Sequence, residues 1–117
     1  MDDVTADELN ERLGRVPLLD VRDESEYSGA AGYPCDARQG HIPTARHLPL
    51  GRLMEAASVE EVRELVGEPE GAEVVAYCHS GGRSSMAVQI LRGAGYEARN
   101  YAGSWHDWSS RADLPVE

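Results

Sequence analysis

The residue of this chain whose surroundings best suit a reactive thiol is Cys78. It begins a loop with two glycines and one arginine, Cys78-His79-Ser80-Gly81-Gly82-Arg83. The loop follows the apolar run 73–77 and precedes a helical pattern that starts near Ser84. Backbone N–H groups at a helix start have no intrahelical partners, so they favour negative charge on a nearby sulfur. We therefore predict that the Cys78 thiol has a lowered pKa and acts as a nucleophile.

The composition of this loop is typical of an anion-binding ring. Gly81 and Gly82 can both adopt a positive φ, which allows successive backbone N–H groups to point inward. Arg83 adds a permanent positive charge. A structural cysteine at the sheet edge is the alternative, but it would need neither the glycines nor the arginine. We interpret the loop as the functional site.

The elements that position Cys78 alternate between helical and extended patterns. Capping boxes at Thr5–Glu8 and Ser58–Glu61 predict the starts of two helices. The predicted helices cover about residues 6–13, 52–57, 58–67 and 84–93, and the predicted strands cover 16–21, the neighbourhood of Leu48, 73–77 and 97–101. This order predicts an α/β fold with a mostly parallel sheet, in which sites lie at the carboxyl ends of strands. Residues 23–46 are expected to form a long functional loop.

Length and charge restrict the class of protein. The 117 residues suit a single domain over 1–117, and the net charge of −10 without a Lys/Arg cluster disfavours nucleic acid as a partner. The sequence contains neither a membrane-spanning apolar stretch nor a signal peptide pattern, so we expect a cytoplasmic protein without a membrane partner. Two separated cysteines do not indicate a disulfide framework.

Three motifs resemble those of the rhodanese family, which comprises thiosulfate and mercaptopyruvate sulfurtransferases and related persulfide carriers. The first joins residues 18–23, LLDVRD, to residues 40–45, GHIPTA. The second is the loop 78–84, and the third joins residues 101–108, YAGSWHDW, to residues 114–116, LPV. The resemblance spans almost the whole chain and implies a three-layer α/β/α fold with a sheet of about five strands.

The resemblance also implies a reaction and a set of residues. Cys78 would take the outer sulfur of thiosulfate as a persulfide, release sulfite, and pass the sulfur to cyanide, a low-molecular-weight thiol or a protein thiol. No metal or organic cofactor is required. The implied residues are the anion-binding loop His79, Ser80, Gly81, Gly82, Arg83 and Ser84, and the supporting residues Asp20, Arg22 and His41.

The nearest alternative enzyme class is a tyrosine-phosphatase-like enzyme or an arsenate reductase. Those enzymes place five residues between the nucleophilic cysteine and the arginine, whereas four separate Cys78 from Arg83. Ser84 stands where the phosphatase arginine would be. A ring with one fewer N–H encloses a smaller volume, which suits a persulfide better than a phosphoryl group or arsenate.

Several other residues have two interpretations each. His79 can favour the Cys78 thiolate or contact the substrate, or it can be a loop residue that faces solvent. Cys35 is interpreted as an ordinary loop thiol, with a resolving thiol for Cys78 as the alternative. Trp105 and Trp108 are interpreted as packing residues of the core or its rim, with a substrate contact as the alternative. Cys35, His41 and His47 lack the short paired spacings of a zinc site, so we expect no metal.

One residue departs from the family pattern. Two-domain thiosulfate enzymes have an arginine before the tyrosine that follows the first strand, whereas Glu26 precedes Tyr27 here. Arg38, Arg46 or Arg83 is the candidate replacement for this anion contact. The leading hypothesis is a single-domain thiosulfate sulfurtransferase. The alternatives are a sulfur-relay module that exchanges persulfide with partner proteins, and a non-catalytic binding domain.

Overall fold

The computed structural model describes residues 3–117 and contains one parallel sheet with helices on both faces. Its strands are β1 Leu18–Asp20, β2 Arg46–His47, β3 Glu73–Tyr77 and β4 Glu97–Asn100, in the spatial order β2-β1-β3-β4. The helices are α1 Ala6–Glu11, α2 Glu24–Ser28, α3 Leu50–Glu55, α4 Val59–Val66, α5 Gly82–Gly93 and α6 Ser104–Ser110. Within residues 3–117, no helix is long and apolar enough to cross a membrane.

The register of the sheet brings the candidate site residues to one edge. Asp20, the last residue of β1, lies opposite His47 on one neighbouring strand and Tyr77 on the other. Because all strand pairs are parallel, these residues mark the carboxyl edge of the sheet. Cys78 follows Tyr77 directly, so the predicted nucleophile lies at this edge.

Alternate residues of β3 supply two separate apolar cores. Val74 and Ala76 pack with α5 residues such as Leu91, whereas Val75 and Tyr77 belong to a second core that contains Trp105. Successive side chains of a strand point to opposite faces, so a strand buried on both faces is apolar throughout. The helix, sheet and helix layers confirm the three-layer α/β/α architecture.

The sheet has four strands among the described residues, compared with the predicted number of about five. The position beyond β4 is occupied by Val4, whose backbone N–H donates to the carbonyl of Asn100 at 2.9 Å. Thr5 then caps α1 by accepting a hydrogen bond from the Glu8 N–H at 3.2 Å. Because the chain turns into a helix immediately, Val4 makes this one backbone hydrogen bond and does not extend the sheet.

The structure corrects the predicted bounds of several elements. Helix α1 ends at Glu11 and not at residue 13, strand β1 covers only Leu18–Asp20, and α3 begins at Leu50. The predicted strand near Leu48 is the two-residue β2, which ends at His47. Helices α2 and α6 were not predicted, so the long loop over residues 23–46 is interrupted by a helix at its start.

Candidate active site

The sulfur of Cys78 is buried at the carboxyl end of β3, where α5 begins. The residue is only 1% exposed, and its Sγ accepts a hydrogen bond from the Gly81 N–H at 3.1 Å. The hydroxyl of Ser84 lies 3.4 Å from the same sulfur. The loop and the start of α5 therefore direct a backbone N–H and a hydroxyl at Sγ.

These donors change the acidity of the thiol. Burial raises the pKa of Cys78, because a charged sulfur is poorly solvated there. Hydrogen bonds from the Ser84 hydroxyl and from the backbone N–H groups of Ser84, Gly81 and Ser80 act in the opposite direction and outweigh the burial. The net result is a pKa below the ordinary value, so the site favours the thiolate, which is the nucleophilic form.

The two loop glycines have different conformations. Gly81 has φ +99°, and a Cβ at this position would lie 2.6 Å from the carbonyl oxygen of Ala102. Gly82 is instead the first residue of α5 and has open space where its Cβ would be. Either glycine can adopt a positive φ, but only Gly81 of the two does so, because α5 begins two residues earlier than predicted and includes Gly82.

Ser104 is a neighbour of Cys78 that sequence reasoning missed. The backbone N–H of Cys78 donates to the Ser104 Oγ at 3.0 Å, and this hydroxyl lies 3.9 Å from Sγ. Ser104 is buried and has φ +56°, an uncommon conformation for a residue with a Cβ. In the sequence, Ser104 is distinguished by its position within the motif at residues 101–108, but the motif suggested no role for this residue.

Asp20 and Arg22 form a buried network at the carboxyl edge of the sheet, and no contact joins it to Sγ among the described residues. The guanidinium of Arg22 donates to both carboxylate oxygens of Asp20 and also to the Gly40 carbonyl, all in a buried environment. The Tyr77 hydroxyl donates to Asp20 Oδ2 at 2.6 Å. This network joins β1, β3 and the segment around residue 40, next to the end of β3 from which Cys78 follows. We propose that its role is structural.

His41 and the two tryptophans also occupy packing positions. The His41 ring stacks on Tyr27 at 3.9 Å, and its Nδ1 lies 2.8 Å from the Tyr27 carbonyl oxygen. Trp105 and Trp108 are completely buried, and their indole N–H groups donate to the carbonyls of Arg38 and Pro115. The predicted core position of both tryptophans is confirmed.

His79 does not face solvent. Its ring stacks on Tyr33 at 3.8 Å, and its Nε2 lies 3.0 Å from Asp36 Oδ1. His106 Nδ1 is also 3.0 Å from this oxygen, and the Cys35 sulfur is 4.0 Å from His106 Nδ1. The solvent-facing alternative for His79 is therefore wrong.

These contacts also place the exposed Cys35 near the active loop, in a group that could hold a metal ion.

The three arginines considered as anion contacts are engaged elsewhere. Arg83 forms a bidentate ion pair with Glu26, at 2.8 and 3.1 Å. Arg38 donates to backbone carbonyls around the end of α6, including that of Arg111 at 2.6 Å. Arg46 donates to the Leu65 carbonyl. Arg83 is the one of the three that belongs to the active loop, and Glu26 partly neutralises its positive charge.

This fold and site define a class of protein. The rhodanese-like domain family matches residues 5–111, and the chain belongs to that family. Its structure is similar to a crystal structure named Probable Thiosulfate Sulfurtransferase, with a TM-score of 0.85 and 43% identity over 98% of this chain and 47% of that chain.

Two curated relatives have particular names. One is the Thiosulfate sulfurtransferase of Pseudomonas aeruginosa, which is 34% identical over 97% of this chain and 45% of that protein. The other is the Sulfur carrier protein TtuD of Thermus thermophilus, which is 32% identical over 98% of this chain and 46% of that protein. The chain thus spans less than half the length of each of these relatives.

Proposed function

We propose that this rhodanese-like domain is a sulfurtransferase that carries sulfane sulfur on Cys78. The observation that carries the proposal is the buried Cys78 sulfur, which accepts the Gly81 N–H at 3.1 Å and lies 3.4 Å from the Ser84 hydroxyl. The charge of a persulfide lies on its outer sulfur, one bond beyond Sγ, where the surrounding loop N–H groups would favour the anion.

The reaction takes place in two nucleophilic displacements. The Cys78 thiolate attacks the outer sulfur of thiosulfate, a new S–S bond forms, and the original S–S bond breaks as sulfite leaves with its electron pair. In the second step an acceptor such as cyanide, a small thiol or a protein thiol attacks the outer sulfur of the persulfide, and the Cys78 thiolate leaves. Neither step requires an external oxidant or reductant.

Loading with thiosulfate followed by mass spectrometry tests the proposal. We expect an adduct of about 32 Da, one sulfur atom, on the peptide that contains Cys78. The Cys78→Ala variant should lose this adduct, whereas Cys35→Ala, the matched variant of the other cysteine, should retain it. Folded wild-type protein without an adduct at Cys78, after treatment with thiosulfate and with a cysteine desulfurase as the alternative donor, would contradict the proposal.

A second candidate function is a sulfur relay, in which partner proteins load and unload the Cys78 persulfide. The Glu26–Arg83 ion pair favours this candidate, because it reduces the positive field available to a small dianion such as thiosulfate. Steady-state thiocyanate formation from thiosulfate and cyanide separates the two functions. Catalytic thiocyanate formation by the wild type that is lost in Cys78→Ala supports the enzyme. Thiocyanate formation at the background rate, together with rapid formation of the Cys78 persulfide from a cysteine desulfurase, supports the relay.

A further inference from the structure

Four potential metal ligands meet beside the active loop. They are Cys35 and Asp36 in the segment after α2, His79 in the active loop and His106 in α6. One ligand atom from each residue lies within 4.8 Å of every other. A thiol, a carboxylate and two imidazoles form a mixed donor set that transition metals of the zinc class accept.

The carboxylate at the centre of this cluster lacks a partner for one of its oxygens. The side chain of Asp36 is only 1% exposed, and its Oδ2 has no hydrogen-bond donor among the described residues. Its Oδ1 contacts His79 Nε2 and His106 Nδ1, both at 3.0 Å. A buried carboxylate oxygen without a donor is costly, and a cation at the cluster would provide the missing compensation.

The separations between the donor atoms fit a small tetrahedral ion. Zinc bonds of about 2.0–2.3 Å imply separations of roughly 3.3–3.7 Å between tetrahedral ligands. Asp36 Oδ1 is 3.0 Å from each imidazole nitrogen, and the Cys35 sulfur is 4.0 Å from both Asp36 Oδ1 and His106 Nδ1. These four separations bracket the expected range, and the other two are within 4.8 Å, so side-chain movements that draw His79 toward Cys35 and His106 would form the coordination sphere.

We propose that Cys35, Asp36, His79 and His106 bind one divalent transition metal ion of the zinc class. Three separate segments supply the ligands, so the ion would join the segment around residue 36 and helix α6 to the active loop. Cys78 is not a ligand in this site. The proposal concerns metal binding alone and does not depend on sulfur transfer, so the failure of one does not decide the other.

Titration of the reduced full chain with Co²⁺, as a spectroscopic substitute for Zn²⁺, tests the site. We expect one Co²⁺ per chain, with a sulfur-to-cobalt charge-transfer band and the intense visible bands of tetrahedral coordination, all of which Zn²⁺ should abolish. Cys35→Ser should remove the charge-transfer band, and His106→Ala should weaken binding by about 100-fold. Both side chains are exposed, and circular dichroism verifies that the variants are folded.

Two matched variants complete the experiment. Cys78→Ser removes the other thiol and His47→Gln removes a histidine outside the cluster, and both should bind Co²⁺ like the wild type. Zn²⁺ should also raise the Tm of the wild type and Cys78→Ser but not of Cys35→Ser, because an ion that binds only the native state stabilises it. A band lost in Cys78→Ser and retained in Cys35→Ser, or the absence of a sulfur-to-cobalt band, would overturn the proposal.

Discussion

Arg83 donates two hydrogen bonds to the carboxylate of Glu26, from Nη1 to Oε1 at 2.8 Å and from Nη2 to Oε2 at 3.1 Å. The Glu26 side chain is 11% exposed and that of Arg83 is 31% exposed, so the pair is only partly screened by solvent. The pair raises the pKa of Arg83 above its ordinary value, and the pKa of Glu26 is lowered because the guanidinium outweighs the effect of burial. The loop arginine is therefore permanently charged but oriented toward α2.

Glu26→Gln should improve the use of thiosulfate as a donor. The substitution removes one negative charge beside Arg83, and a gain of about 1 kcal/mol, because solvent partly screens the exposed guanidinium, lowers the KM for thiosulfate by roughly 5-fold. Thiocyanate formation at varied thiosulfate concentration measures this effect. Glu24→Gln makes the same change of charge at an exposed position of α2 and should leave KM unchanged. Equal KM values in both variants would refute a role for the pair in donor binding.

Ser84→Ala should raise the pKa of Cys78. The Ser84 hydroxyl lies 3.4 Å from Sγ and lowers the pKa of this thiol, so its loss favours the neutral form. At a pH below the pKa, the thiolate population should fall by about 10-fold for a hydrogen bond worth 1.5 kcal/mol, and the difference should vanish at high pH. Ultraviolet thiolate absorption against pH measures this in a Cys35→Ser background. Ser85→Ala, at the exposed neighbouring position, is the control.

The active loop was predictable because its signals are local. The signals all lie within residues 73–84: the end of a strand, two glycines, an arginine and the start of a helix. The structure places Cys78 directly after β3. The partner of Arg83 could not be predicted, because Glu26 is separated from it by 57 positions and only tertiary packing joins them. The contact between His79 and Asp36 was missed for the same reason.

The two helices that were not predicted, α2 and α6, lack different sequence signals. Helix α2 has a capping box formed by Asp23 and Glu26, but Glu26 is its one buried residue, so no apolar periodicity accompanies the cap. Helix α6 has the opposite pattern. Trp105 and Trp108 have helical spacing, yet Gly103 provides no side-chain cap and Ser104 has a positive φ, so no start signal precedes them.

Substitution of the two loop glycines by alanine should have unequal effects on stability. Gly81→Ala combines an unfavourable φ of +99° with a Cβ 2.6 Å from the Ala102 carbonyl oxygen, and should lower the free energy of unfolding by about 2–3 kcal/mol. Gly82→Ala meets open space in the first turn of α5 and should be neutral or stabilising by about 0.5 kcal/mol. Urea denaturation measures both values. Similar losses in the two variants would contradict the different conformations of these glycines.

Glu73 should contribute a pH-dependent part of the stability. Its carboxylate accepts two hydrogen bonds from Arg12 and one from Arg99, and these interactions lower the pKa of Glu73 from 4.5 to about 2. A lowered pKa stabilises the native state above pH 4.5, and this contribution disappears as the pH falls from 4.5 toward 2. Because the side chain is 29% exposed, solvent screening reduces the effect to about 1 kcal/mol at neutral pH.

The variant Glu73→Gln isolates this contribution. It should be about 1 kcal/mol less stable than the wild type at pH 7, and the two proteins should converge as the pH approaches 2. Glu97 lies opposite Glu73 at an exposed position of the edge strand β4, so Glu97→Gln makes the same change of charge without breaking the Arg12 contacts. Urea denaturation at a series of pH values should therefore show a pH-dependent difference for Glu73→Gln only. A constant difference between wild type and Glu73→Gln from pH 7 to pH 2 would mean that the Glu73 charge does not stabilise the fold.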